Sequence, residues 1–227
     1  IWLNRYKHVA TTGEPTRVED YQRDVDRWFD VYFSRVDEDG RFVAIVFKNI
    51  TDQKRIELAL RQSEERQAFL LELSDILQRL SRANDIKAAA MQMLGEHLGV
   101  SRAQYHECDA SGEYYDADGI GYSNGIPLLT DKYRISDMGS FVGEDFAAGR
   151  PFRSDDLLVD PRVSEEEGAL YRLYQIRAGA GIPLMRGGNL VAILAIHDVR
   201  PHPWTDAEME LIRETAERIW TAVERAG

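Results

Sequence analysis

The feature that most constrains this chain is a junction. Residues 42–47 form a strand-like apolar run, which passes through Lys48-Asn49-Ile50-Thr51-Asp52-Gln53 into the charged helical pattern Lys54-Arg55-Ile56-Glu57. The apolar period changes there from two to about 3.6, so a sheet hands directly into a helix. Neither Gly nor Pro interrupts residues 52–80, which permits one helix of roughly 40 Å at about 1.5 Å per residue. A strand fused to a long helix bends little. The expectation is a relay between two folded units.

Before that junction, Ile1, Leu3, Tyr6 and Val9 give a short helical pattern that Thr12-Gly13-Glu14-Pro15 closes. Residues 16–24 read as a strand. Residues 28–36 alternate, with Phe29, Val31 and Phe33 on one face, and Asp37-Glu38-Asp39-Gly40 turns the chain into residues 42–47 with Gly40 placed for positive φ. An antiparallel meander of about three strands follows from this pattern.

The long helix has two characters. Its first half is charged (Arg55, Glu57, Arg61, Glu64, Glu65, Arg66), and its second half carries Phe69, Leu73, Ile76 and Leu80 at spacings of four and three, with Leu70 and Leu77 widening the stripe. Such a 3.5-residue seam suits a partner helix, although the same stripe also suits packing on its own domain. At the far end, Trp204-Thr205-Asp206-Ala207-Glu208 sets a capping box, and Ile212, Ala216, Ile219 and Val223 repeat at four, three and four. The two matching seams predict a bundle, formed either within a protomer or across a dimer. Glu at Leu73 and Ile219 is then expected to abolish dimerisation.

Between the seams, Asn84-Asp85 reads as an N-cap pair, Ile86, Ala89, Ala90, Met93, Leu94 and Leu98 as one apolar face, and Gly99 as a stop. Strands are expected at residues 102–108, 113–116, 178–185 and 190–198, the last two joined by the hairpin signal Arg186-Gly187-Gly188-Asn189. Short helices fit residues 141–148 and 165–174, and residues 117–137 look irregular.

Composition bounds the function. The chain has 227 residues, 44% hydrophobic and 10% aromatic, enough for one large or two small domains with a real core. A net charge of −11 argues against nucleic acid as a partner. No apolar run approaches the ~20 residues of a membrane span, and no signal-peptide pattern opens the chain. Its one cysteine, Cys108, fits a reducing cytosol. The chain starts without Met and is read as a fragment of something larger.

Two stretches resemble known families. Residues 1–52 resemble the C-terminal part of a PAS domain, on Val9-Ala10-Thr11-Thr12-Gly13-Glu14-Pro15, Arg27-Trp28-Phe29-Asp30-Val31 and Asn49-Ile50-Thr51-Asp52-Gln53-Lys54. The last is similar to that family's closing D-I-T-E-R-K motif, with Asn49 at the Asp position. The resemblance implies that Asn49 and Thr51 cap the outgoing helix and tie it to the sheet. It also implies that this piece, lacking the family's first strands, does not enclose a ligand. Residues 70–227 resemble a GAF domain, on Gly95-Glu96-His97-Leu98-Gly99-Val100-Ser101-Arg102-Ala103, Gly149-Arg150-Pro151, Asp160-Pro161-Arg162, Gly181-Ile182-Pro183-Leu184, Ile196-His197 and Trp204-Thr205.

A PAS piece, a charged linker helix at 53–80 and a GAF domain in series are similar to the input region of bacterial sensor histidine kinases. The implied fold is α+β: an antiparallel sheet with helices on its faces, preceded by the long signalling helix and a partial PAS sheet. The implied role is a cytoplasmic sensory module of a two-component system, homodimeric through its helices and followed by kinase domains in a longer protein. Its helices would relay a signal by switching between two packings.

The residues offer little chemistry of their own. His8, His97, His106, His197 and His202 are scattered, without metal-ligand spacing or a phosphoacceptor context, and no Gly-rich nucleotide loop is present. Ala178-Gly179-Ala180-Gly181 reads as close packing within a strand. Cys108 lies between Glu107 and Asp109, neighbours that raise a thiol pKa, so no catalysis is expected from this fragment. The GAF resemblance implies a pocket under a lid built from residues 114–137, 141–146, 155–163 and 171–177. Its candidate lining residues are Tyr105, Tyr133, Phe141, Phe146, Tyr174 and His197, with core filling as the alternative for the aromatics. The ligand is unknown. A covalent bilin is not expected, because Glu166-Glu167 stand where bilin-binding relatives carry a Cys-His pair. A nucleotide would need Arg134, Arg153 or Arg177 to turn inward. The alternatives are a ligand-free dimerisation scaffold or, with only one cysteine against it, a methionine sulfoxide reductase-type enzyme.

Overall fold

The structure, a computed structural model, describes residues 2–37, 39 and 41–226, the side chain of Trp2 excepted. The chain divides into two compact units, residues 1–65 and 66–227.

The first unit contains α1 (Trp2–Thr12), β1 (Thr16–Gln22), β2 (Arg27–Arg35), β3 (Val43–Asn49) and the opening turns of α2 (Thr51–Arg79). Its strands form an antiparallel meander in the order β1-β2-β3. Val31 stands opposite Val18 on one side and Phe47 on the other. Alternation along β2 turns Val31 and Phe33 inward, where they are fully buried with Val9 of α1. The Asp37 carboxylate closes the β2–β3 loop by accepting the backbone N–H groups of Arg41 at 3.1 Å and Phe42 at 2.9 Å. The positive φ expected at Gly40 and the place of Glu38 lie outside the described residues.

At the junction, the Asn49 side chain accepts the Thr51 N–H at 3.0 Å. The Thr51 hydroxyl accepts the Trp28 N–H at 3.0 Å, and the Ile50 N–H donates to the Trp28 carbonyl at 2.9 Å. Lys54 pairs with Glu19 at 2.6 Å. The first turn of α2 is thereby fastened to β2 and β1. Asn49 caps without the charge of an Asp.

The second unit holds the remaining turns of α2, then α3 (Ala83–Leu98), β4 (Arg102–Cys108), β5 (Tyr114–Asp116), β6 (Gly121–Ser123), β7 (Lys132–Arg134), α4 (Ser140–Ala147), β8 (Phe152–Ser154), α5 (Glu165–Leu173), β9 (Ala178–Arg186), β10 (Asn189–Asp198) and α6 (Asp206–Ala226). The antiparallel sheet runs β7-β5-β4-β10-β9-β8, with β6 also paired to β4. One face packs on α2, α3 and α6 through Ala103, Tyr105, Ile182, Leu184, Leu194 and Ile196. The other face packs under α4, α5 and their loops through Tyr115, Phe146, Phe152 and Ile193.

The expected capping box is formed. The Glu208 carboxylate accepts the Thr205 N–H at 2.7 Å and the Thr205 hydroxyl accepts the Glu208 N–H at 3.2 Å. The β9–β10 hairpin turns through Gly187 and Gly188, both at positive φ (57° and 86°), the geometry that two-residue turns between right-twisted strands require.

Three expectations change. The seam is satisfied inside the unit: Phe69, Leu70, Leu73 and Leu77 are buried against Ile212, Ala216 and Ile219, while Ile76, Leu80 and Val223 are half-buried at its rim. Leu70 and Leu77 therefore replace Ile76 and Leu80 at the centre of the stripe, because α2 is rotated to face α3 and α6 of its own domain. Arg66 pairs with Glu214 at 3.3 Å, and Arg225 donates to the Leu77 carbonyl at 2.7 Å, closing the end of α2. Leu73→Glu or Ile219→Glu would bury a charge in this core, so loss of folding would mask any effect on a dimer. Second, α3 begins at Ala83 with Arg82 at its N-cap and no side-chain cap. Asn84 and Asp85 lie in the first turn. Third, residues 117–137 contain β6 and β7, and β8 is added beyond α4; three-residue strands are too short to show a period.

Candidate functional site

The two faces of β4 explain the site. In Arg102-Ala103-Gln104-Tyr105-His106, the odd-numbered side chains face the helices and the even-numbered ones face the lid, yet every one of them is buried. Gln104 holds the loop after β6 at two points, donating to the Leu129 carbonyl at 3.1 Å and accepting the Leu129 N–H at 2.9 Å. Arg102, 1% exposed, donates to the Pro127 carbonyl at 2.8 Å, the Tyr174 carbonyl at 3.4 Å and His197 Nδ1 at 3.1 Å. Burial lowers its pKa to about 10, so it stays cationic at neutral pH. One buried guanidinium thus ties β4, β10, the β6–β7 loop and the end of α5 together.

Beneath the lid lies a cavity of about 50 Å3. Its floor is the sheet: His106 of β4, residues 179–181 of β9, and Ile193, Ala195 and His197 of β10. Its walls come from Tyr115, Val142 and Phe146, and from Leu157, Tyr171 and Ile176. Phe146 lies so close to the sheet that a Cβ on Gly181 would stand 2.6 Å from its Cζ, so glycine at 181 is what admits the ring. The Tyr171 hydroxyl donates to the Met138 carbonyl, joining α5 to the segment before α4. Glu167 completes the capping box of α5 with Ser164 and also accepts the Ser140 N–H at 2.8 Å, fastening the N-termini of α4 and α5 together.

Besides the Tyr115 and Tyr171 hydroxyls, the polar side chains of the lining are two imidazoles. His106 is 1% exposed and neither ring nitrogen makes a hydrogen bond of ordinary geometry. Its ring lies 4.7 Å from that of Tyr115. Burial pushes its pKa down to about 4, an effect that Asp118 and the nearby Asp116 backbone only partly offset. His197 is held well below the usual histidine range by burial first, then by Arg102 and His106. Because a guanidinium only donates, His197 Nδ1 is the acceptor and Nε2 carries the proton.

Of the residues expected at the pocket, Phe146 and His197 line it. Tyr105 does not: strand parity sends it to the opposite face, into the core with α3 and α6. Tyr133, Phe141 and Tyr174 form an outer ring of packing, with Tyr133 stacked on Tyr115 at 5.5 Å, edge-on to Tyr174 at 5.9 Å, and Phe141 at 5.4 Å from Phe152. Core filling is what those three do. Arg134, Arg153 and Arg177 pair instead with Glu113, Asp206 and Asp156 at 3.6, 2.7 and 3.0 Å, and none lines the cavity. Sequence reasoning missed Arg102, Gln104 and His106 as inward-facing groups. Their signal was the polar alternation of residues 102–106, which reads as a solvent face until the lid is known to cover it. Cys108 is half-buried; its thiol is pushed up to about 12 by burial and then by Asp109, so burial outweighs the acidic neighbour. Among the described residues no group of three or more His, Cys, Asp or Glu side chains is placed to hold a metal, and no helix is long and apolar enough to cross a membrane.

In fold, the chain is similar to the free methionine-R-sulfoxide reductase from Neisseria meningitidis, at 14% identity over 71% of this chain and 89% of that one, TM-score 0.57. It is similar to the GAF domain of a phosphoenolpyruvate-protein phosphotransferase from Coxiella burnetii, at 14% identity over 71% and 94%, TM-score 0.57. It is also similar to the chromophore-binding domain of an unusual bacteriophytochrome from R. palustris, at 14% identity over 98% and 78%, TM-score 0.61. No curated protein matches the chain in sequence. The family model for the GAF domain matches residues 83–223, more than half of the sequence, and the chain belongs to that family.

Proposed function

We propose that the chain is a sensory and regulatory region of a bacterial two-component signalling protein, in which the GAF domain holds a small ligand and the helices relay its presence. The observation that carries the ligand part is the cavity under the lid, with a buried histidine whose ring nitrogens have no ordinary partner. Its size limits the ligand. About 50 Å3 is far below the ~300–1,000 Å3 of sites for drug-sized molecules, so a tetrapyrrole needs the lid to open.

The relay part is supported by α2. Its first turn is fastened to β2 through Thr51 and Trp28, and its last turns are core elements of the GAF domain. The PAS reading of the first unit is supported by the three-stranded meander and by the Asn49 cap. The likeness to the bacteriophytochrome domain extends over 98% of the chain, so it takes in this unit as well. A cytoplasmic location, a homodimer and kinase domains in a longer protein complete the proposal. Catalysis of the reductase type has no support in Cys108, whose thiol is neutral and outside the cavity lining.

Native mass spectrometry of the purified chain tests the reading. A co-purified molecule, or thermal stabilisation by one member of a panel that runs from small uncharged amides and azoles to amino acids, cyclic nucleotides, haem and bilins, is the expected result. A folded protein that carries nothing and responds to nothing would instead be a ligand-free dimerisation scaffold.

A further inference from the structure

The chemistry of the cavity restricts what it suits, and the restriction rests on reading it as a ligand site. Among the described residues, no Asp, Glu, Lys or Arg lines it. The nearest buried cation, Arg102, is committed to two carbonyls and to His197. The Tyr171 hydroxyl is committed to the Met138 carbonyl. What remains, besides the Tyr115 hydroxyl, is one imidazole that offers an N–H and a lone pair without ordinary partners, at His106, and one N–H on His197 Nε2. An ion placed here would have no oppositely charged side chain in the lining, the Arg102 guanidinium lying behind His197 with its hydrogen bonds to that ring and to two carbonyls. A molecule that hydrogen-bonds to both ring nitrogens of His106 replaces its one weak contact with the Asp116 backbone and satisfies the other nitrogen.

We propose that the cavity takes an uncharged molecule of no more than about five heavy atoms that carries both a hydrogen-bond donor and an acceptor, such as a small primary amide or azole, and that it pairs with the His106 ring. The upper size follows from the volume. About 50 Å3 exceeds the ~10–15 Å3 that one water needs by the same measure and falls short of the ~150 Å3 cavity that accommodates benzene. The Tyr115 and Phe146 rings and the Ile193 side chain supply the apolar walls such a molecule lies between.

Acetamide, acetate and acetamidinium share one four-heavy-atom shape and differ in charge, so they test the proposal directly. The full chain, labelled with 15N in its histidines, is titrated with each at pH 7.5 while the ring nitrogens of His106 are followed by NMR. Acetamide is expected to shift them saturably, and the two ions to bind at least about tenfold more weakly. His106→Leu is expected to remove the thermal stabilisation given by acetamide, and His106→Gln, which keeps a donor and an acceptor, to retain part of it. Equal binding of either ion, unchanged acetamide binding in His106→Leu, or no shift with any of the three probes would overturn the proposal; the last means a cavity that is dry or holds water only. A larger or charged molecule found co-purified in the cavity refutes this ligand class and leaves the sensory reading standing. A cavity that takes neither probe nor co-purified molecule removes both.

Discussion

Leu73→Ala separates a seam that folds one chain from a seam that joins two. Leu73 is fully buried in the core shared by α2, α3 and α6, with Ile212, Ala216 and Ile219 in the same cluster. Removing three carbons there forfeits their transfer energy and leaves a cavity that the three helices close only in part. A fully buried Leu→Ala change costs about 3 kcal/mol or more, which in a unit of this size lowers Tm by roughly 6–12 °C. Leu71, two residues away and 68% exposed, is the control; Leu71→Ala should stay within about 0.5 kcal/mol of the parent. Calorimetry and urea unfolding at protein concentrations a hundredfold apart read the difference. If Leu73 works within its own chain, the loss is the same at both concentrations. If it works between chains, the loss scales with concentration, because association adds stability by mass action. A concentration-dependent loss, or a Leu73→Ala protein as stable as the Leu71→Ala control, refutes the intrachain assignment.

Three other outcomes follow from the site. Gly181→Ala drives a methyl to 2.6 Å from the Phe146 ring and should destabilise by about 1–3 kcal/mol; adding Phe146→Leu should recover most of that in thermal melts, and a simple sum of the two losses would contradict the contact. His106 titrates near 4 in the folded chain against 6.5 unfolded. The unfolded state then binds the extra proton between those values, so the stability from neutral His106 is present above pH 6.5 and falls by up to about 3 kcal/mol as pH drops toward 4. His106→Gln should flatten that part of the pH–stability curve, and an unchanged slope would show that the histidine is not held neutral by the fold. Cys108, with its thiol pushed up to about 12, should react with iodoacetamide at pH 7.5 at least about a hundredfold more slowly than in the urea-unfolded chain. Equal rates would mean the thiol is free.

The elements that could be read in advance are those whose cause is local. Helix α2 needs only an unbroken run without Gly or Pro. The start of α6 needs only Thr205 and Glu208, and the β9–β10 hairpin only Gly187 and Gly188. Each signal lies within a few residues, and each is found where it was expected. The failures share the opposite property. Asn84-Asp85 has cap chemistry, but the chain had already entered α3 at Ala83. The strands β6, β7 and β8 exist because neighbouring strands pair with them, not because three residues carry a pattern.

Taken alone, the sequence determined the α+β class, the order of the main elements, the strand-to-helix junction and the apolar stripes of the helices, since period, caps and turn residues act over one or two turns of chain. The tertiary structure alone decided what each face meets. Leu73 lies in one core with Ile219 of its own chain, Tyr105 faces the helices rather than the cavity, and Arg102 joins Pro127, Tyr174 and His197 from three distant segments. A period of two says that alternate residues of β4 point in opposite directions. Which direction leads to water depends on the lid folding over the strand, and that is settled by contacts between residues more than twenty positions apart.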